Sequence, residues 1–94
     1  MFVLALEVDL HIAEARSLKD KRSVVKSLVE GAKKRYGVAA AEVGYHQQWQ
    51  RVLLGFAVVA PSEGHAREVM DEVDRFVWSH PEVQVLATER RWLE

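Results

Sequence analysis

The sequence predicts one α+β domain: a four-stranded antiparallel sheet covered on one face by two helices, in the order βαββαβ. Three observations carry that reading. The first eleven positions after Met1 alternate with a period of two, two longer segments repeat apolar residues at helical spacing behind a serine, and further apolar runs follow each of those segments. The chain has 94 residues, the size of a single domain, and its apolar fraction of 49% supplies one modest core.

Residues 2–12 place Phe2, Leu4, Leu6, Val8, Leu10 and Ile12 on one face, with Val3, Ala5, Glu7, Asp9 and His11 on the other. That is a strand with one buried and one wetter face. Ser17 then reads as an N-cap, and Asp20 three residues later suits the positive end of a helix. Leu18, Val25, Leu28, Val29, Ala32 and Tyr36 follow at helical spacing, and Gly37 supplies a left-handed stop, so the first helix is expected over 18–36. Residues 38–45 and 52–60 read as two strands joined by His46-Gln47-Gln48-Trp49-Gln50-Arg51. The second of these is apolar on both faces, which suits a central strand. Ser62 caps the second helix, whose core face is Ala66, Val69, Met70, Val73 and Val77 with Phe76 on the flank, and His80-Pro81 ends it. Residues 83–88 form the last strand, and Glu89 to Glu94 a charged tail holding Trp92. Two right-handed crossovers interleave in this order of elements, which gives the ferredoxin-like arrangement with sheet order 4-1-3-2.

Cysteine is absent, so no disulfide framework or thiolate metal site exists. Residues 1–10 already hold Glu7 and Asp9 and lack a basic start, so no leader peptide is expected. No apolar run approaches the roughly 20 residues that span a bilayer, and a cytoplasmic protein without membrane contact is expected. Asparagine is missing, Thr88 is the one threonine, and arginine outnumbers lysine by 8 to 5, a bias that resembles a thermophile's.

The net charge of −1 conceals an asymmetry. From Arg16 to Arg35 eight basic residues face two acidic ones, a charge of +6, while the remaining five basic and twelve acidic residues give −7. Lys33, Lys34 and Arg35 suit a helix C-terminus. Lys19, Lys21 and Arg22 lie in its first turns, where the macrodipole disfavours cations, Lys19, Arg22, Lys26 and Lys33 fall within a strip of roughly 60°, and the candidate phosphate-contacting set is Arg16, Lys19, Lys21, Arg22 and Lys26. Three readings compete for this segment: a contact for phosphates, above all those of RNA or another polyanion, a solvated face paired with acidic neighbours such as Glu63 to Asp74, or a contact for a protein partner.

RNA-recognition domains of similar topology stack bases on aromatics of the open sheet face. Here that face offers Glu7, Asp9 and His11 on the first strand and Leu53, Gly55, Ala57 and Val59 on the third. The acids repel phosphates and no stacking platform is present. A partly apolar open sheet instead predicts a homodimer that covers the face or pairs a strand edge. Trp49 with Arg51 is a candidate contact for a partner or second subunit; the alternative is that the loop folds back and Trp49 caps the sheet edge.

His11, His46, His65 and His80 fall in separate elements without paired spacing, and neither a metal nor a cofactor is expected. Acylphosphatases share this topology but need a glycine-rich loop after the first strand and an asparagine to position water. Residues 13–17 contain no glycine and the chain contains no asparagine, which excludes that reaction. Ser17 and Ser62 are explained as caps, no phosphate-cradling glycine loop appears, and the domain is expected not to be an enzyme.

Leu6-Glu7-Val8-Asp9-Leu10-His11-Ile12, Ser17-Leu18-Lys19-Asp20-Lys21-Arg22, Ala41-Glu42-Val43, Trp49-Gln50-Arg51, Pro81-Glu82-Val83 and Glu89-Arg90-Arg91-Trp92 together resemble the YlxP-like family of small bacterial proteins of unknown function. Gly44-Tyr45-His46-Gln47 departs from it, since the family tends to carry a more polar loop entry. The resemblance implies a ferredoxin-like fold and a bacterial setting in which such proteins tend to be encoded near translation and ribosome-maturation factors. It supplies no activity and no catalytic residues. The expectation is a non-enzymatic binding domain associated with RNA or the ribosome through its first helix, the alternative being a dimeric protein-binding or small-ligand-sensing module that uses the open sheet.

Overall fold

Alternation at the start of the chain becomes β1 (Phe2–His11), in which Leu4, Leu6, Val8 and Leu10 are buried and Val3, Ala5, Glu7, Asp9 and His11 turn the other way. The computed structural model describes residues 1–93. After β1 come α1 (Leu18–Tyr36), β2 (Ala39–Gly44), β3 (Arg51–Ala60), α2 (Glu63–Trp78) and β4 (Gln84–Leu93). The sheet runs β2-β3-β1-β4 with every neighbour antiparallel, the same order as 4-1-3-2 counted from the other edge. Both helices pack on one face, so the fold is the ferredoxin-like one.

The two central strands supply most of the sheet's share of the core. Leu6 stands opposite Phe56 and Val8 opposite Leu54, and these meet Leu28 and Ala32 of α1 and Met70, Val73 and Val77 of α2, all buried. Each of these side chains larger than alanine contributes roughly 1.5–3 kcal/mol relative to remaining in water. The helices approach closely at Gly31, where an added Cβ would lie 2.5 Å from the Phe76 ring. Tyr36 and His80 pack edge-on against that same ring.

Capping residues act as their sequence positions imply. The Ser17 hydroxyl accepts the Asp20 N–H at 3.1 Å, and the Asp20 carboxylate accepts the Arg16 N–H at 3.0 Å. At the other end of α1, Gly37 adopts φ 67° and donates to the Lys33 carbonyl. Ser62 caps α2 in the same manner, accepting from the His65 N–H at 3.1 Å.

Two features differ from the sequence expectation. The last strand is expected over 83–88, but β4 continues to Leu93, so most of the charged tail is strand, with Glu89 opposite Glu7 and Arg91 opposite Ala5. β4 is an edge strand whose residues are mostly exposed on both faces, so its alternation carries little hydrophobic signal. A bulge leaves Leu86 unpaired between Ala87 and Val85, which face Asp9 and Leu10. Trp92 packs edge-on against Phe2 with the Arg67 guanidinium over its ring. Tyr45, expected inside the second strand, lies beyond it with φ 60°, a left-handed backbone that ends the ladder. None of the helices among the described residues is long and apolar enough to cross a membrane.

Candidate functional site

Basic residues of α1 divide by position. Near the C-terminus Lys33 lies 3.9 Å from Glu30 and the Arg35 guanidinium sits over the Phe76 ring. Near the N-terminus Arg16, Lys19, Arg22 and Lys26 are exposed, and among the described residues their side chains form no ion pair or hydrogen bond. Gly31 marks the side of α1 that meets α2. At 100° per residue, Lys19, Arg22 and Lys26 lie roughly 120–180° around the helix from it. They form an outer flank that faces away from α2. Three of the five acids from Glu63 to Asp74 are engaged elsewhere: Glu63 with Arg67, Glu72 with Arg75, and Asp71 with Arg90. Pairing between that acidic stretch and the four cations is not formed.

Lys21 must be removed from the phosphate-contacting set. It is 2% exposed, the one buried charged side chain among the described residues, and its ammonium points inward. Nζ donates to the Tyr45 carbonyl at 2.7 Å and lies 2.8 Å from Glu42 Oε2. Oε2 is itself buried and off the axis of an aligned hydrogen bond, so the attraction between the two charges is chiefly coulombic. The helical wheel contains the reason: Lys21 lies roughly 200° from Lys19, between the directions of Leu28 and Ala32, which face the core.

Lys21 also holds the loop after β2. The Tyr45 carbonyl accepts from both Lys21 and the Gln48 N–H, closing a turn. Gln50 donates its side-chain amide to the Ala13 and Ala15 carbonyls at 3.0 and 3.1 Å, and its own carbonyl accepts the Ile12 N–H at 2.9 Å. Residues 45–50 are thereby stitched to the segment that enters α1. Trp49 and the basic start of α1, unrelated in sequence, come to the same end of the molecule. Trp49 stays 53% exposed beside an open concavity of about 360 Å³ bordered by Gln47, Gln48 and Gln50.

Arg51 is engaged within the chain. Its Nε and Nη2 donate to the two Asp9 oxygens, each at 2.7 Å, and its guanidinium lies 4.5 Å over the Tyr45 ring. The bidentate hydrogen bonds hold the Asp9 carboxyl below the usual carboxylate range. Arg51 therefore anchors Tyr45 and is not paired with Trp49 as a free contact. Tyr45, Glu42 and Gln50 are the structural residues missed in the sequence. No local pattern marks a backbone carbonyl as a lysine acceptor.

The open sheet face is graded from side to side. Toward β2 it is apolar, with a shallow trough of about 390 Å³ over Gly55 walled by Ala5, Ala39, Ala41, Val43 and Ala57. Toward β4 it is charged, with Asp9 paired to Arg51 and Glu7 to Arg91 at 3.1 Å, while Glu89, opposite Glu7, forms no ion pair among the described residues. Among the described residues no group of three or more histidine or acidic side chains is arranged to hold a metal ion.

Comparisons with known proteins match this chain at the level of family and fold. Over its full length it is similar to a de novo designed protein with a ferredoxin fold, solved by solution NMR, with a TM-score of 0.56, 15% identity and 87% of that chain covered. It is 33% identical over 86 residues to the uncharacterized protein YlxP of Bacillus subtilis (strain 168), covering 92% of this chain and 94% of that protein. The model of a protein family of unknown function, DUF503, matches residues 3–90. The chain therefore belongs to the DUF503 family of proteins of unknown function and is a YlxP-like protein.

Proposed function

We propose that the domain binds RNA through the outer flank of α1, with Arg16, Lys19, Arg22 and Lys26 against backbone phosphates, and that it carries out no chemistry of its own. One observation supports the reading above the others. These four cations lack partners among the described residues while most other charged clusters of the fold compensate themselves. Lys19, in the first turn of α1, costs the helix roughly 0.3–1 kcal/mol through the macrodipole. A polyanion would return that cost and release its counterions. The proposed setting is cytoplasmic, in or beside bacterial translation or ribosome maturation.

The test is binding of ribosomal RNA or isolated ribosomal subunits at 50 and at 300 mM salt. Four phosphate contacts give a slope of about −2.8 in log K against log salt on single strands and about −3.6 on duplex. Affinity should then fall between about 150-fold and 600-fold over that range. Neutralising Arg16, Lys19, Arg22 and Lys26 with glutamine should flatten the dependence. Unchanged binding by that variant at 50 mM salt would end the proposal.

A second reading concerns the open sheet face, which we propose packs on a second copy of the chain. Its favouring observation is the apolar half over β2 and β3, beside which Asp9 and Glu7 are already paired within the chain, so covering that half strands neither carboxylate. Four strands of up to ten residues present a projected face of roughly 600 Å², close to the 800 Å² per partner of a stable interface. Sedimentation at tens of micromolar should give a dimer, and Ala41→Arg should give a monomer; a wild-type monomer refutes it.

A further inference from the structure

Trp49 has a second use that the charge strip alone does not supply. Its ring is 53% exposed and, among the described residues, takes part in no aromatic or cation–π contact. The loop that carries it is nevertheless pinned at both ends, by Lys21 on the Tyr45 carbonyl and by Gln50 on Ala13 and Ala15. An exposed indole on a tethered loop is a preformed platform, and little ordering remains to be done when a flat partner lands on it. Beside it Gln47 and Gln48 hold side-chain amides that make no hydrogen bond among the described residues, and they border the same concavity of about 360 Å³.

We infer that Trp49 stacks an unpaired base, so that the ligand of this end of the molecule is single-stranded RNA rather than a duplex. The inference rests on the phosphate-binding reading above and specifies its substrate. Bases inside an A-form helix are stacked on one another and offer no free face, whereas a splayed base presents both its π-face and its hydrogen-bonding edge. The amides of Gln47 and Gln48 donate and accept, which fits base edges without fixing a sequence. The cations complete the arrangement. Arg16 and Lys19 lie at the loop end, and Arg22 and Lys26 continue about 10 Å along α1, so a strand stacked on Trp49 runs its backbone down the flank. Charge complementarity selects nucleic acid over an apolar protein surface here, because Gln50 ties the indole's loop to the segment that leads into the cationic flank of α1, and the concavity beside the indole is bordered by Gln47, Gln48 and Gln50.

The probe is a fluorescein-labelled ten-nucleotide RNA of mixed sequence, alone or annealed to its complement, with the DNA strand of the same sequence as a third arm, all at 50 mM salt. The single RNA strand should bind more tightly than the duplex. Trp49→Ala should weaken the single strand roughly five- to 150-fold and leave the duplex nearly unchanged, and Trp49→Phe should recover part of the loss. Tighter binding of the DNA strand than of the RNA strand would overturn the assignment to RNA. Equal binding of single strand and duplex with no effect of Trp49→Ala would overturn the stacking role while leaving phosphate contact by α1 intact. Absence of binding in every arm would remove the phosphate reading itself. Loss of self-association in Trp49→Ala, with RNA binding unchanged, would assign the indole to a protein contact and refute the inference. Trp49 lies on an exposed loop, so circular dichroism of both variants should match wild type.

Discussion

Replacing Lys21 with methionine separates a structural lysine from a binding one. Methionine keeps most of the apolar stem and deletes the ammonium, so packing around α1 is largely preserved while Glu42 and the Tyr45 carbonyl lose their shared partner. Breaking a fully buried ion pair from one side costs 3–5 kcal/mol, and a hydrogen bond to a charged group about 1.5–3 kcal/mol. Glu42 is 24% exposed, so water compensates part of its charge, and the Tyr45 carbonyl keeps the Gln48 N–H. The expected loss is therefore about 2–3 kcal/mol, or about 10–20 °C in Tm for a domain of this length. Removing both charges at once should behave differently. Lys21→Met with Glu42→Leu leaves no stranded charge and should return to within about 1 kcal/mol of wild type. Urea denaturation followed by circular dichroism at one protein concentration measures both. A single variant within about 0.5 kcal/mol of wild type would refute the reasoning. So would a folded Lys21→Met that loses RNA binding as severely as Arg22→Gln.

Three further outcomes follow from particular contacts. Gly37→Ala forces a Cβ into the left-handed cap at φ 67° and should cost about 1 kcal/mol by urea denaturation, with RNA binding unchanged. Lys19→Glu exchanges an unfavourable charge for a favourable one in the first turn of α1; it should stabilise the fold by about 1 kcal/mol in thermal melts while weakening RNA binding. The Asp9 pKa is lowered in the folded state, so the Arg51 pair contributes fully above the unfolded value near 4 and is lost as pH falls through the lower folded value. Asp9→Asn should therefore flatten the acid limb of the stability–pH curve, and an unchanged limb would show that the pair is not coupled to folding.

Most of the fold is legible because its signals are local. β1 alternates, Ser17 and Ser62 cap, Gly37 stops α1, and the order of elements leaves one sensible sheet. The end of β4 is illegible because an edge strand open on both faces needs no alternation; its pairing with β1 decides it. Of the basic residues, Lys21 is misplaced when charge is read without the wheel, which by itself puts that side chain between Leu28 and Ala32. The Tyr45–Gln50 loop is different. Its anchors join residues far apart in the chain, Gln50 to Ala13 and Ala15 and Tyr45 to Lys21, and no periodicity records such contacts.

Those anchors also explain why a lysine is buried in so small a core. An apolar residue at position 21 would pack at least as well and would avoid the desolvation of an ammonium. It would not reach the Tyr45 carbonyl, and the left-handed turn at Tyr45 would lose the contact that fixes it to α1. Lys21 thus couples the helix bearing the free cations to the loop bearing the free indole. Their relative position is set by that ammonium together with the Gln50 bonds to Ala13 and Ala15, and the Gln50 tether, next to Trp49, keeps the two halves of the proposed RNA surface together when Lys21 is replaced.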